Sequence, residues 1–350
     1  MTDRIRIGLL SFAHYHANFW SEAFRDSPLA EFVGIWDDDA TRGAEAARRY
    51  GVRFWPELAP LLDACDAVAI TAETARHAPL IEAAAARGRH VLCEKPLAAT
   101  LEDCDRIARV VGGSGIVFMP SFPKRFDPVN HELRRLVGEG ELGRIALARV
   151  RHGHAHGLDA DFRRQWFVDP TLGGGGALLD EGVHGADLLR WLFGEAESVA
   201  ATLSGAALGL LVEDNAVAVF RFPNGLLAEL SASWTFVAAD NSVEIFGTRG
   251  TAVLSGVDLG SRDVTHDGFL KTYRVGQPER RWTVSPIVPR FKTGGHHHQN
   301  ALRFLDTLHR GASPPVTLED GRRAVEMILA AYRAARSGRT EPVPPPRRSS

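Results

Sequence analysis

The chain has 350 residues, of which 45% are apolar and 24% are charged, and its formal net charge is −2. This composition is typical of a folded chain of roughly two domains and excludes a disordered one. The small net charge argues against a broad surface for nucleic acid or anionic lipid, so we expect neither as a partner. The sequence has no apolar run of membrane-spanning length, and Met1–Leu10 lacks a signal-peptide pattern. The cysteines include no C-x-x-C pair, so we predict reduced thiols in a cytoplasmic protein.

The first third of the chain alternates short apolar runs with helical patterns. The apolar runs predict strands over Ile5–Leu10, Glu31–Trp36, Ala67–Thr71, His90–Cys93 and Ile116–Pro120. The helical patterns between them predict helices over Tyr15–Arg25, Asp39–Tyr50, His77–Arg87 and Thr100–Val111. Strands that alternate with helices indicate βαβ units and a parallel sheet with helices on both faces. Residues 1–122 are therefore predicted to form one α/β domain.

The pattern changes after about Pro123. A helix over Pro128–Val137 is followed by alternating segments that predict strands over Arg144–His156, Ser198–Leu203, Asn215–Phe222, Leu226–Trp234 and Ser242–Phe246. Pro223-Asn224-Gly225 predicts a hairpin, because Asn-Gly readily adopts positive φ. Residues 123–339 are predicted to form a second α/β domain with a largely antiparallel sheet. Its last helices are predicted over Gln299–Arg310 and Leu318–Arg336, and the proline-rich residues 340–350 are predicted to be a mobile tail.

The turn after the first strand departs from the dinucleotide-binding pattern G-x-G-x-x-G. In register, the three glycine positions hold Ser11, Ala13 and His16. The start of the following helix can still offer backbone N–H groups and a positive dipole end to a phosphate. We predict that Ser11, Phe12, Ala13 and His14 contact the cofactor. The amides of Ser11, Ala13 and His14, together with the Ser11 hydroxyl, are predicted to hold its phosphates.

Asp37 ends the second predicted strand. An acidic residue at this position accepts hydrogen bonds from an adenosine ribose. It would also repel a 2′-phosphate, so Asp37 favours NAD over NADP. Because Asp37-Asp38-Asp39 is also a common loop and helix cap, a purely structural role for Asp37 stays open.

Two later motifs add to this prediction. Glu94-Lys95-Pro96 follows the fourth predicted strand, and a run Gly173–Gly176 leads to Asp180 and His184 about 80 residues later. In this order and context, the motifs resemble those of the glucose–fructose oxidoreductase/inositol dehydrogenase (Gfo/Idh/MocA) family. The resemblance covers most of the chain, including Lys124-Arg125-Phe126-Asp127-Pro128 and the final helices.

The resemblance implies a Rossmann nucleotide-binding domain followed by an α/β domain whose open sheet supports a homodimer or homotetramer. It implies hydride transfer between NAD(P) and a secondary alcohol of a sugar, inositol or related polyol. The family's catalytic lysine, aspartate and histidine fall on Lys95, Asp180 and His184. We expect NAD as the cofactor, with NADP less favoured, although the first turn lacks the family's glycines.

The chemistry of these three residues fits alcohol oxidation. Asp180 and His184 are spaced i, i+4 and therefore share one face of a helix. A histidine can take or return the hydroxyl proton near neutral pH, and Asp180 can orient the ring and hold the substrate. Lys95 can donate to the developing alkoxide. Without Lys95, the motif is more typical of an aspartate that caps a helix and a histidine that packs on a sheet, whereas Lys95 and the glycine run favour the catalytic role.

The remaining site residues lie close to these motifs. The predicted cofactor contacts beyond the first turn are Asp37, Thr71, His77, Glu94 and Lys95. The predicted substrate contacts are Lys95, Arg125, His154, Trp166, Asp180 and His184. His77 is also typical of a helix start, and an arginine or tryptophan is often a packing residue. The glycine run can bring a loop close to substrate or serve as a hinge.

Two groups of histidines are candidate metal ligands. His152, His154 and His156 alternate along a predicted strand and would share one face, and His296–His298 are consecutive. Imidazoles on one face can bind zinc. Because no cysteine or carboxylate joins them at a usual spacing, we predict sugar contacts or solvated surface and no metal.

Two other functions stay open. The same scaffold could use NAD as a tightly held catalyst that cleaves a glycoside by transient oxidation. It could also serve as a non-catalytic nucleotide or sugar sensor, an alternative that the missing glycines of the first turn favour.

Overall fold

The structure is a computed structural model that describes residues 4–237, 241–256, 268–277, 281–290 and 295–346. The chain divides into two compact units. The first unit comprises Met1–Pro123 and His297–Arg322, and the second comprises Lys124–His296 and Arg323–Ser350. The predicted domain 123–339 had placed the segment His297–Arg322 in the second domain. Its helix packs instead on the first helix of the chain, where Phe19 contacts the rings of His297 and His298 and Glu22 lies 2.9 Å from His298 Nε2.

The first unit is built on a six-stranded parallel sheet in the order β3-β2-β1-β4-β5-β6. The strands are β1 (Ile5–Leu10), β2 (Ala30–Trp36), β3 (Arg53–Trp55), β4 (Ala67–Ile70), β5 (His90–Cys93) and β6 (Phe118–Pro120). Strand order reverses between β1 and β4. In open parallel sheets, this switch point is where a crevice forms beyond the carboxyl ends of the strands.

The helices of this unit connect successive strands, except the last one, which comes from a later part of the chain. They are α1 (Ala17–Asp26), α2 (Ala40–Tyr50), α3 (Leu58–Ala64), α4 (His77–Ala85), α5 (Leu101–Ser114) and α9 (His298–Arg310). Asp39 and Thr100, the first residues of two predicted helices, cap α2 and α5. The Asp39 side chain accepts hydrogen bonds from the amides of Thr41 and Arg42, and the Thr100 side chain accepts one from the amide of Asp103. The predicted parallel α/β fold is confirmed. The sequence patterns missed β3 and α3, because three and seven residues are too short to show a periodicity.

The second unit contains a nine-stranded sheet in the order β14-β13-β12-β11-β7-β10-β9-β8-β15. Neighbouring strands are antiparallel except for the central pair β7 and β10. The strands are β7 (Ile145–Gly153), β8 (Ser198–Ser204), β9 (Asn215–Arg221), β10 (Leu227–Ser233), β11 (Val243–Gly247), β12 (Gly250–Leu254), β13 (Leu270–Arg274), β14 (Thr283–Val284) and β15 (Glu341–Pro342). The mostly antiparallel second sheet is thus confirmed.

Helices cover one face of this sheet. They are α6 (Pro128–Gly138), α7 (Ala177–Asp180) and α8 (Gly182–Phe193), and α10 (Leu318–Ser337) contains the dividing point of the two units. The helix α8 packs directly on β7 and β10. The helix lies so close to the sheet that a Cβ added to Gly185 of α8 would be 2.3 Å from Leu230 Cδ1 of β10. The Asn-Gly hairpin is present, with Gly225 at φ 83°.

Two predictions at strand ends were wrong. The strand predicted over Arg144–His156 ends at Gly153, because the His156 amide donates to His154 Nδ1 and bends the chain into a 3₁₀ turn at His156–Leu158. The predicted tail also begins in ordered structure. Glu341–Pro342 pairs with β8, and the Val343 amide donates to Glu197 O at 2.8 Å.

Within the described ranges, no helix combines the length and the apolar character that a membrane crossing requires.

Candidate active site

The first βα turn keeps the backbone shape of a glycine turn without the glycine. Ser11 has φ 72°, in the left-handed region that glycine adopts at least cost. Thr71 Oγ1, at the end of β4, donates to Ser11 O at 2.5 Å. Ser11 Oγ accepts the Ala13 amide at 3.1 Å and Arg42 Nη2 at 3.2 Å. Thr71 and Ser11 therefore lie together at the switch point of the sheet.

The amides of this turn differ from the prediction. The Phe12 amide donates to Asp37 Oδ2 at 2.7 Å, and the His14 amide donates to Thr71 O at 2.9 Å. The Ser11 amide donates to Trp36 O at 2.7 Å. With the Ala13 amide held by Ser11, the four amides are satisfied within the protein. The predicted amide cradle for phosphates is thus not presented, because polar side chains close the glycine-poor turn on itself.

Asp37 is buried in a dense hydrogen-bond network. Its carboxylate accepts from Arg42 at 2.7 and 2.9 Å and from the amides of Phe12 and Asp39 at 2.7 and 3.0 Å. Burial alone would raise its pKa, but the Arg42 bond and the two amides outweigh burial and hold the pKa of Asp37 below its ordinary value. Arg42 was missed by sequence reasoning. An arginine three residues after the Asp39 cap was the available signal.

The more exposed carboxylate at this edge belongs to Asp38. Burial, its hydrogen bond to Asp37 and the charge of Glu73 raise the pKa of Asp38. Arg76 pairs with both Asp38 and Glu73. The edge next to β2 therefore carries three carboxylates and two guanidinium groups, which suits a ribose diol better than a further phosphate.

Glu94 orders the turn that contains Lys95. It is fully buried, and its Oε2 accepts the Lys95 amide at 2.6 Å. Its Oε1 accepts Ser121 Oγ at 3.2 Å and lies 2.6 Å from His16 Nδ1. Lys95 itself is 3% exposed and precedes a cis peptide bond to Pro96. The sequence did not reveal the link between Glu94 and His16.

His77 differs from its predicted role as a cofactor contact. The ring is buried, with Nδ1 3.0 Å from Pro96 O and Nε2 3.1 Å from Ala72 O. Burial lowers the pKa of His77. Both ring nitrogens thus face backbone carbonyls, and the residue ties the turn after β5 to the start of α4.

In the second unit, the Asp180–His184 motif does not form one continuous helix as predicted. The helix α7 ends at Asp180, and α8 begins at Gly182 with Glu181 at the break. Asp180 Oδ2 accepts Trp234 Nε1 at 3.0 Å. His184 is buried, and its ring centroid lies 4.9 Å from that of His152. Of the two predicted catalytic residues of this unit, His184 is thus buried and Asp180 is half-buried.

Glu181 joins this region to the end of β7. His152 Nε2 and His154 Nε2 lie 3.2 and 3.5 Å from its two oxygens. The ligand atoms of His154, Asp180 and Glu181 lie within 4.8 Å of one another. The prediction of no metal rested on the absence of a carboxylate near these histidines. That argument fails, because the fold brings Glu181 beside residues almost 30 positions away in the sequence.

Lys124 adds an ammonium group to the imidazoles and carboxylates of this region. Burial lowers its pKa to about 8, although the carboxylates of Asp127 and Glu181 act in the opposite direction. The sequence had singled out this lysine only as part of a motif. Six titratable side chains thus gather in the second unit: Lys124, His152, His154, Asp180, Glu181 and His184.

Arg125 and Trp166 take different places from those predicted. Arg125 donates to Asp187 in a buried ion pair with distances of 2.6 to 3.1 Å, so its guanidinium is engaged in packing α8. Trp166 stacks on Phe167 at 4.0 Å and packs against the aromatic cluster that includes Trp234. Trp166 therefore supports the indole that donates to Asp180.

The glycine run serves close packing at Gly176. The Gly176 and Leu178 amides donate to Glu213 Oε1 at 3.1 and 2.8 Å. A Cβ on Gly176 would lie 2.0 Å from Glu213 O. The carboxylate of Glu213 caps α7 and so fixes the position of Asp180.

We therefore expect Gly176→Ala to lower the free energy of unfolding by about 1–3 kcal/mol, the usual cost of overpacking. Gly112→Ala is the matched control, because a Cβ there meets nothing within 4 Å inside α5. Urea titrations of both variants measure the difference. Equal stability of the Gly176→Ala variant and the wild type would contradict the close-packing role.

Comparison with known proteins gives matches over most of the chain. Residues 6–122 match the family described as "Oxidoreductase family, NAD-binding Rossmann fold", and residues 130–253 match the "GFO/IDH/MocA C-terminal domain". A 1,5-anhydro-D-fructose reductase of Ensifer adhaerens is 30% identical over 88% of this chain and 90% of its own length. The scyllo-inositol 2-dehydrogenase (NAD(+)) of Bacillus subtilis is 26% identical over 95% of this chain and 93% of its own.

Solved structures show the same fold. A levoglucosan dehydrogenase in complex with NADH and levoglucosan superposes with a TM-score of 0.84 at 24% identity, covering 98% of this chain and all of the other. GenD2 from gentamicin A biosynthesis, in complex with NAD, gives a TM-score of 0.82 at 24% identity, with coverage of 98% and 97%. Both likenesses extend over the two units.

Proposed function

Because the chain belongs to the Gfo/Idh/MocA family of oxidoreductases, we propose that it transfers a hydride between NAD and a secondary alcohol of a sugar, inositol or related polyol. The observation that carries this proposal is the polar region of the second unit, in which the half-buried Asp180 and the buried His184 lie with Glu181 and His152. None of the four relatives described above is named as a glycoside hydrolase or a sensor, so neither alternative gains support.

The residues of the first unit fit NAD. Ser11 reproduces the left-handed turn at the switch point, and the acidic edge at Asp37 and Asp38 suits an unmodified ribose. Bound NAD supplies the hydride acceptor. Lys95 donates a hydrogen bond to the substrate oxygen and stabilises its alkoxide character. His184 takes the hydroxyl proton, and Asp180, fixed by Trp234, holds the substrate.

The polar region of the second unit favours a polyhydroxylated substrate. Imidazole, carboxylate and ammonium groups at the end of β7 and the start of α8 offer both donors and acceptors to several hydroxyl groups. A small number of such groups in a buried setting usually determines specificity. The names of the relatives point to the same class of substrate.

A preference for NAD is the first consequence. We expect kcat/KM with NAD to exceed that with NADP by about tenfold or more, because the three carboxylates of Asp37, Asp38 and Glu73 outnumber the two guanidinium groups paired with them and leave net negative charge at this edge. Replacing Asp38, the more exposed of the aspartates, by serine should narrow this preference. Steady-state rates with both cofactors measure it, and a preference of the wild type for NADP would contradict the acidic-edge argument.

The outer face of the second sheet supports the predicted homo-oligomer. Leu147, Val217, Val219 and Leu227 lie on one face of β7, β9 and β10 and are 36–41% exposed. We propose that this face pairs two copies of the chain, which light scattering of the purified protein would test. A monomer at micromolar concentration would contradict the pairing. The cytoplasmic location stays a prediction from the sequence.

A further inference from the structure

The turn that lacks glycines has two histidines beside a buried carboxylate. His14 and His16 follow β1, and Glu94 directly follows β5. Each offers one ligand atom, and the three atoms lie within 4.8 Å of one another. The ring centroids of His14 and His16 are 4.2 Å apart, and His16 Nδ1 is 2.6 Å from Glu94 Oε1. His14 and Glu94 are buried, whereas the His16 side chain is 14% exposed.

We propose that His14, His16 and Glu94 form a site for one divalent transition-metal ion of the zinc class. Two imidazole nitrogens and one carboxylate oxygen are a common set of zinc ligands, and they leave a fourth position for an exchangeable oxygen ligand. The set is a poor match for magnesium or calcium, which prefer oxygen ligands throughout. None of the three residues takes part in the proposed proton transfer, so metal binding at this site does not depend on the proposed reaction.

The surroundings resemble the outer shell of a metal site. Glu94 is held by the Lys95 amide and by Ser121 Oγ, and Asn300 Nδ2 donates to Ser121 Oγ at 2.8 Å. The His16 ring stacks on that of His297 with centroids 3.7 Å apart. Such outer contacts orient ligating side chains and support metal affinity. A simple hydrogen bond between His16 and Glu94 would not need a second imidazole beside it or further hydrogen bonds that hold the carboxylate. The presence of His14 and the hydrogen bonds to Glu94 therefore favour a metal ion shared by the three residues.

The site lies on the turn that would face the diphosphate of a bound nucleotide, so the ion could bind that diphosphate. This second part of the proposal rests on the proposed function. The amides of Ser11 to His14 donate within the protein, so the turn offers little positive charge to a diphosphate. A divalent ion on the same turn supplies that charge, with a phosphate oxygen at its fourth position. The ion thus takes over the task that glycine-turn amides perform in other dinucleotide sites.

Cobalt is the probe for the site, because its visible absorption reports tetrahedral binding by nitrogen and oxygen ligands. We expect the chelator-stripped full chain to bind one equivalent of Co²⁺ and to lose the spectrum when Zn²⁺ is added. His14→Ala and His16→Ala should each weaken Co²⁺ binding by about 100-fold or more. His309→Ala is the matched control, since His309 is exposed on α9.

The grouping of His154, Asp180 and Glu181 provides an internal comparison. A variant His154→Ala should keep the tetrahedral Co²⁺ spectrum. Loss of the spectrum in this variant but not in His16→Ala would overturn the proposed site, as would the absence of binding at millimolar Co²⁺. Retained binding in both His14→Ala and His16→Ala would do the same. Circular dichroism of each variant confirms that the chain is folded.

Calorimetry with NAD tests the second part. We expect Zn²⁺ to raise the affinity of the wild type for NAD by about tenfold and to leave that of the His16→Ala variant unchanged. An equal affinity of the wild type with and without Zn²⁺ would overturn the role toward the diphosphate. Failure of the proposed dehydrogenase function would instead be seen as no NADH formation by protein that binds both the ion and NAD.

Discussion

Replacing Lys95 by methionine should lower kcat by about 10²–10⁴-fold, the range typical of a lost charge-stabilising or proton-transferring group. Methionine keeps the length of the side chain and removes the ammonium. Because the backbone amide of Lys95 donates to Glu94 Oε2 at 2.6 Å and the substitution keeps this amide, the turn should keep its shape. NADH formation from the best polyol measures the rate.

A matched control is available because the chain has only four lysines. Lys271 is exposed on β13, so Lys271→Met should keep the wild-type rate. Calorimetry should show that the Lys95→Met variant still binds NAD, which separates lost chemistry from lost binding. A Lys95→Met variant that turns over within threefold of the wild type would remove Lys95 from the catalytic set.

The largest effect on stability is expected at the buried pair of Arg125 and Asp187. The side chains are 7% and 1% exposed, and the guanidinium donates three times to the carboxylate. Arg125→Met leaves Asp187 as an uncompensated buried charge, which typically costs about 3–5 kcal/mol. The double variant Arg125→Met, Asp187→Leu should recover most of this loss, because a buried pair replaced by apolar groups is often neutral.

Urea unfolding of these variants also decides between packing and substrate binding. If Arg125 held the sugar, Arg125→Met would raise KM and leave stability unchanged. The exposed pair of Arg149 and Glu229, with 46% and 31% of the side chains exposed, is the control and should contribute at most about 1 kcal/mol. An Arg125→Met variant as stable as the wild type would contradict the packing role.

Local patterns in the sequence predicted most of the fold. The strands of the parallel sheet, the caps at Asp39 and Thr100, and the Asn-Gly hairpin depend on neighbouring residues, so their patterns are visible in the chain. The return of α9 to the first unit and the edge strand Glu341–Pro342 depend on distant contacts. Neither leaves a periodic pattern, and both were missed or placed wrongly.

In the candidate site, too, features encoded by short local motifs were predicted, whereas those that depend on distant contacts were not. The resemblance placed Lys95, Asp180 and His184, since their motifs are short and ordered along the chain. The roles of their neighbours could not be predicted. His77 faces two carbonyls and Arg125 faces Asp187, because each buried polar group takes whichever partner the fold brings near. Glu181 and Glu94 reach histidines that are far away in sequence, so spacing rules for metal ligands did not detect them.

The most direct test of the central claim is to incubate the purified chain with NAD and a panel of sugars, inositols and related polyols, and to quantify both NADH and the oxidised product. The account predicts that at least one compound yields NADH and the corresponding ketone in equal amounts. Release of a free leaving group without net NADH, or no NADH with any member of the panel, would contradict it.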